Sequence, residues 1–175
     1  MPKPAPGGPA RRIVGVDPGL AAAGWGIVDV SGSRIVHVAH GAITTKARVP
    51  RSERLLTIYL AFKAVLEEYL PAEAGMETLY FAKNVTSAMP VAEARGVLCL
   101  ALAERGLEVR EYTPMAIKRA VVGSGAAEKE QVQELVCLIL GLKAIPKPDH
   151  AADALGAAVC RAHDILPLRA DAQAV

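Results

Sequence analysis

The feature that most constrains this chain is an order of elements: three β-rich runs come before any helical pattern, and each later β run is reached through a helix. Residues 13–17 alternate β-branched residues with glycine and stop at Asp17-Pro18-Gly19, a turn signal. Residues 24–30 and 34–45 are two more β runs, joined by the short connection Asp29-Val30-Ser31-Gly32-Ser33. Strands linked this tightly pair antiparallel. Residues 51–70 then carry Leu55, Ile58, Tyr59, Phe62, Val65, Leu66 and Tyr69 at helical spacing. A short strand over 74–79 ends close to Glu77, residues 82–105 read as a long helix interrupted by Pro90, and 107–112 is a fifth strand. Helical segments over 114–122, 128–140 and 148–166 complete the order. Strands four and five, each reached through a helix, are expected parallel to strand one by right-handed crossovers. The expected fold is α/β: a five-stranded mixed sheet, its first three strands antiparallel, with helices on both faces.

A chain of 175 residues with this pattern leaves room for one domain, which we assign to 13–166. Residues 1–12, rich in Pro and Gly with Lys3, Arg11 and Arg12, read as a disordered basic tail, and 167–175 as a flexible C-terminal one. Cys99, Cys137 and Cys160 are widely spaced in apolar stretches without a Cys-x-x-Cys, which suits core residues of a reducing compartment. The apolar run 97–103 is far shorter than a membrane span, and the N-terminus lacks a signal-peptide pattern, so a cytoplasmic protein without a membrane is expected. With 20 Lys+Arg against 18 Asp+Glu, the formal charge is only +2. Any role with nucleic acid must therefore follow from where charges sit.

In this topology the carboxyl ends of parallel strands form the ligand crevice. Asp17 ends strand one and Glu77 ends strand four, which places two carboxylates at one rim. His150 and Asp153, three apart on the last helix, share one face, while Ala151, Ala154, Leu155, Ala158, Val159 and Ala162 give that helix a small apolar face that can press onto the sheet. Three carboxylates and an imidazole converging in a crevice repel unless a cation lies between them. An oxygen-rich set with one nitrogen suits Mg²⁺ or Mn²⁺, and two such ions about 3.5–4 Å apart would serve an in-line phosphoryl displacement. Taken singly, Asp17 is also an ordinary turn residue, Glu77 a solvated strand end and His150 with Asp153 a surface pair. Asp149 reads as a helix-start charge and is left out of the site.

Basic residues cluster at Lys83 with Asn84, at Lys118 with Arg119, and at Lys129, which also fits a capped helix start after Gly123-Ser124-Gly125. Tyr80 and Phe81 follow Glu77 in a chain poor in aromatics and are candidates for a wedge or stacking platform for bases.

Five motifs in order carry a resemblance: Ile13-Val-Gly-Val-Asp17-Pro-Gly-Leu with Gly24-Trp-Gly; Met76-Glu77-Thr-Leu-Tyr80-Phe81-Ala-Lys83-Asn84; Glu93-Ala-Arg95-Gly-Val; Ile117-Lys118-Arg119 through Gly125 to Lys129; and Asp149-His150-Ala-Ala-Asp153-Ala-Leu. Together they resemble the RuvC family of Holliday junction resolvases. The resemblance implies a ribonuclease-H-like fold and a homodimer fed by a branch-migration motor. It also implies metal-dependent, symmetric nicking of strands of like polarity in four-way DNA junctions, for recombination and repair, leaving 5′-phosphate and 3′-hydroxyl ends. By position, Asp17, Glu77 and Asp153 match the family's acidic metal ligands, with Asp17 bridging two divalent ions per subunit. Tyr80 matches an aromatic near the junction, and Lys118 and Lys129 match catalytic basic positions. Arg95 joins Phe81, Lys83, Asn84 and Arg119 as an expected DNA contact. Many members carry aspartate where this chain has His150; an imidazole there favours Mn²⁺ over Mg²⁺.

Two rival classes stay open on sequence alone. Asp17-Pro18-Gly19 with Gly24 also resembles the phosphate-binding hairpin of the sugar-kinase and actin superfamily, although that needs two domains, and a nuclease trimming RNA from hybrids shares the fold by analogy. The other rival is a junction-binding module without catalysis, for which convergent carboxylates would be a liability.

Overall fold

The structure, a computed structural model, describes residues 10–78 and 85–165. Its elements run β1 (Arg11–Asp17), β2 (Ala22–Ser31), β3 (Arg34–Thr44), α1 (Arg51–Tyr69), β4 (Glu73–Glu77), α2 (Val85–Glu104), β5 (Val109–Tyr112), α3 (Pro114–Val122), α4 (Lys129–Ile139) and α5 (Asp149–Ile165). The sheet order is β3-β2-β1-β4-β5, with β1–β2 and β2–β3 antiparallel and β1–β4 and β4–β5 parallel. This is the expected mixed sheet.

Its faces differ. One carries α1 and α2, with Phe62 and Leu98 joining Val14, Val16, Ile27 and Met76 in one core; the other carries α3, α4 and α5, with Val136 and Leu155 joining Ile13 and Val28 in another. No helix among the described residues is long and apolar enough to cross a membrane. The three cysteines are free, and burial pushes the Cys160 thiol up to about 12, as fits a core residue.

Three expectations need correction. Arg11 and Arg12 belong to β1, paired with Val30 and Asp29, not to a tail. Their charges are compensated: the Arg12 guanidinium donates to both carboxylate oxygens of Asp29 at 2.8 and 2.9 Å, and Arg11 lies 3.2 Å from Glu73. The β2–β3 hairpin is also tighter than expected, a two-residue turn at Gly32-Ser33 with Gly32 at φ +57°. Pro90 does not interrupt α2, because it lies near the helix start and removes a single intrahelical bond there.

A row of glycines lets α5 lie directly on the sheet. Gly26, Gly15 and Gly75 sit side by side on β2, β1 and β4. A methyl group on Gly15 would lie 1.9 Å from the Ala154 carbonyl oxygen, and one on Gly75 would lie 2.7 Å from that of Ala157. The small face of α5 completes the fit, with Ala154, Leu155, Ala158 and Val159 fully buried.

Candidate active site

Each candidate residue stands where an element ends. Asp17 closes β1 opposite Gly24 of β2, and Gly24 leaves space for the first turn of α5: a methyl there would sit 1.9 Å from the His150 carbonyl oxygen. Glu77 closes β4, anchored by the next residue, Thr78, whose backbone N–H donates to the Tyr112 carbonyl at 2.8 Å. Lys129 is the first residue of α4, which opens with Gln131 accepting a hydrogen bond from the Glu128 N–H at 3.0 Å. Before it, α3 starts at the Thr113 cap and ends at Gly123, at φ +81°.

These ends converge. Asp17 Oδ2 lies 2.7 Å from His150 Nδ1, and Lys129 Nζ donates to Asp153 Oδ2 at 2.8 Å. Ligand atoms of Asp17, His150 and Asp153 all lie within 4.8 Å of one another, the only such group of three among the described residues. Glu77 stands outside this trio but lines a cleft of about 290 Å³ with Asp153, Lys129 and Lys118, floored by Ile117 and Gly156.

The electrostatics record the crowding. Burial pushes the Glu77 carboxyl up to about 7, helped by the negative charges of Asp17 and Asp153 and opposed by Lys129. Asp17 is also raised, first by burial and then by Asp153, while its hydrogen bond with His150 works the other way. Lys129 is held above its usual range chiefly by its bond to Asp153. Three carboxyls thus face one ammonium, an imbalance that a divalent cation would relieve, and oxygen donors with one imidazole are the set a Mg²⁺ or Mn²⁺ ion takes. The residues present fit such an ion.

In metal-free protein the Glu77 carboxyl should therefore titrate near 7 in carboxyl-carbon NMR, and saturating Mg²⁺ should move that midpoint downward. An ordinary carboxylate midpoint without metal would refute this electrostatic picture.

Of the other expected contacts, Lys118 faces the cleft, whereas Arg119 is exposed and does not line it. Arg95 is tied to Glu111 of β5 by a close ion pair. Arg11 and Arg12 lie at the opposite end of β1 from Asp17 and face Glu73 and Asp29, so the structure removes them from any basic rim around the site. Tyr80, Phe81, Lys83 and Asn84 lie outside the described residues. Asp149 pairs with Lys147 at 2.8 Å, consistent with leaving it out of the trio. Sequence reasoning missed Gly24 and Gly15 as positioning residues; the available signal was glycine inside two neighbouring strands, which often marks close backbone approach.

Comparison with known proteins identifies the family and the fold. The sequence model described as crossover junction endodeoxyribonuclease RuvC matches residues 13–161. The chain is 56% identical over 149 residues to the protein of that name from Treponema denticola, covering 85% of this chain and 84% of that one. It is 53% identical over 151 residues to the one from Thermotoga maritima, covering 86% and 90%. Among solved structures, T. thermophilus RuvC in complex with Holliday junction substrate superposes with a TM-score of 0.80 at 32% identity, covering 87% of this chain and 93% of that one. The yeast mitochondrial Holliday junction resolvase Ydc2, at 14% identity and a TM-score of 0.64, shares the fold; it covers 91% of this chain and 82% of that one. On the extent of the family match and the identity to its members, this chain belongs to the RuvC family of crossover junction endodeoxyribonucleases.

Proposed function

We propose that this chain resolves four-way DNA junctions by symmetric, metal-dependent nicking of two strands of like polarity, leaving 5′-phosphate and 3′-hydroxyl ends. The observation that carries the reading is the convergence of Asp17, His150 and Asp153, with Glu77 and Lys129 beside them, at the carboxyl ends of parallel strands. Family membership supplies the substrate. Asp17, Glu77, His150 and Asp153 would hold two divalent ions per subunit, which supply Lewis-acid charge for activating water and stabilising the leaving oxygen.

The protein's own side chains do the rest. Lys129 and Lys118, on the α4 and α3 walls of the cleft, steady the scissile phosphate and its developing charge. An ion that took Asp153 Oδ2 would compete for the oxygen Lys129 now bonds, leaving more of that ammonium's donors for a phosphate. His150, hydrogen-bonded to Asp17, fixes that carboxylate's orientation. Lys118 and Arg119 extend the DNA-facing surface from α3, and Tyr80, Phe81, Lys83 and Asn84, which follow Glu77 in the sequence, are further DNA contacts in this reading. Arg95 contributes through Glu111, holding α2 to β5 beside this surface.

The unit that cuts in pairs is a homodimer. Leu56 and Leu60 of α1 and Met89 and Leu100 of α2 are each more than half exposed on one helical layer, an apolar surface suited to a second copy. A branch-migration motor in the cytoplasm is the partner this assembly serves. With Arg11 and Arg12 in β1, residues 11–166 are the proposed catalytic domain, flanked by 1–10 and 167–175.

A synthetic four-way junction incubated with protein and Mn²⁺, Mg²⁺ or EDTA, with cut sites mapped on all four strands, tests the reading. Paired symmetric nicks are expected with metal, and binding without cutting in EDTA. The imidazole donor of His150 predicts faster cleavage in Mn²⁺ than in Mg²⁺. The rate should fall as pH drops from 8.5 to 6, because protons then compete with metal for the raised carboxyls of Glu77 and Asp17. Junction binding with no cutting in either metal would leave only a binding module; equal rates in both metals would sink the role given to His150, and a flat pH profile that given to the raised carboxyls.

A further inference from the structure

The edge strand β3 carries two imidazoles that the proposed reaction does not use. In a regular strand, residues three apart point to opposite faces, which would separate His37 from His40. Here the register slips: Ile27 pairs with Ala39 and Val28 with His37, so Val38 is an extra residue bulged into the ladder. The bulge returns His40 to the face of His37. Their partners on β2, Gly26 and Val28, both face α5: Val28 belongs to the core on that side, and a methyl on Gly26 would meet Leu155.

The result is a close pair. His37 Nε2 lies 2.7 Å from His40 Nδ1, with ring centroids 4.9 Å apart and planes inclined at 60°. A carbonyl, hydroxyl or carboxylate usually holds a partly buried imidazole; here the two rings hold each other, one nitrogen donating its proton to the lone pair of the other. Burial lowers both histidines from their ordinary range, with His40 adding to the effect at His37, so both rings are neutral and able to donate lone pairs at physiological pH.

The surroundings suit an ion. His37 lines an open cavity of about 660 Å³ between β3 and the end of α4, and His163, in the last turn of α5, lines it as well. His163 Nδ1 lies 2.9 Å from the Ala120 carbonyl oxygen, which can only accept, so this nitrogen carries the proton and Nε2 keeps its lone pair. Arg34 at the mouth is exposed, where solvent screens its charge.

We propose that His37 Nε2 and His40 Nδ1 form a second metal site, for a borderline-soft divalent cation of the Zn²⁺ class, held on β3 with water filling the remaining positions. It is distinct from the carboxylate-rich site: His150 and His163 lie at opposite ends of α5, about 20 Å apart along the helix. It also differs in chemistry, since nitrogen donors without a carboxylate favour Zn²⁺ over Mg²⁺. Two nitrogens each about 2.0 Å from a tetrahedral ion lie about 3.3 Å from one another, so the rings need to part by only about 0.6 Å. Whichever ring holds the shared proton moves it to its own far nitrogen, so ligation by the neutral pair releases none.

The chain has four histidines, so their ring nitrogens can be followed individually. Full-length protein with ¹⁵N-labelled histidine, at pH 7.5 in excess Mg²⁺, is titrated with Zn²⁺ while ring ¹⁵N signals are recorded. His37 Nε2 and His40 Nδ1 should shift to metal-bound positions, completely by one equivalent where His150 does not respond and by two where it does. His37→Gln or His40→Gln should abolish the response of the remaining partner while leaving junction cleavage in Mg²⁺ unchanged. A titration in which His150 alone responds, with His37 and His40 unmoved up to millimolar Zn²⁺, overturns the proposal. So does a His37 response that survives unchanged in His40→Gln.

Discussion

Asp17→Asn should lower junction cleavage at least about a thousandfold, on the order of 4 kcal/mol of barrier, while junction binding in EDTA stays equal or becomes tighter. Asp17 is the carboxylate that touches most of the site: it meets His150 at 2.7 Å, lies within 4.8 Å of Asp153's ligand atom and raises the Glu77 carboxyl. An amide keeps its shape and removes its charge. Without that charge a cation loses its shared ligand, and an anionic backbone meets less repulsion at the rim.

The same substitution has a second readout. Asp17 and Glu77 have folded-state pKa values above their unfolded ones, so between the unfolded carboxylate range and about 7 the folded state binds more protons. The contribution of these two carboxyls to the metal-free protein's stability therefore falls as pH rises through that window and changes no further above it. Removing one carboxylate relieves the conflict. At pH 8 without metal, Asp17→Asn should have a higher Tm than the parent protein, and Mg²⁺ should raise the parent's Tm more than the variant's. Cleavage near the parent rate would overturn the assignment of Asp17. A lower metal-free Tm would refute the view that the site is held under charge strain awaiting a cation.

What was legible in the sequence, and what was not, divides by range. The strand and helix order could be read because each element carries its own signal: β-branched alternation to Asp17, helical spacing in α1, the capped start of α4. The convergence of Asp17 and Glu77 followed from one topological rule, and that of His150 with Asp153 from helical periodicity. Arg11 and Arg12 were misread because basic residues beside a Pro/Gly run look solvated; their partners Asp29 and Glu73 come from strands that only folding brings alongside. Lys129 could be placed at a helix start, but its ion pair with Asp153 joins the beginnings of two helices 24 residues apart and has no local signature. The bulge that aligns His37 with His40 is likewise a property of pairing with β2, invisible in β3 alone.

The glycine seat under α5 is the least visible of these features and the one on which the site's geometry most depends. The trio joins one strand end to one helix, so its distances are set by how close α5 lies to β1 and β2. At Gly24 an added methyl would overlap the His150 carbonyl oxygen at 1.9 Å, and that contact is backbone, which cannot rotate away. Gly24→Ala must therefore lift the first turn of α5, carrying His150 away from Asp17. The expected result is cleavage down by about a hundredfold, since a displacement near 1 Å costs that much in a positioned site. The fold should survive with a loss of about 1–3 kcal/mol, the usual cost of overpacking. Gly15→Ala, centred under α5 against Ala154 and Ala158, should invert the balance by destabilising more through the same backbone clash in the middle of the core. If Gly24→Ala cleaved at the parent rate with unchanged Tm, the seat would be tolerant at that end, and the distance between Asp17 and His150 would have to be set by something other than glycine contact.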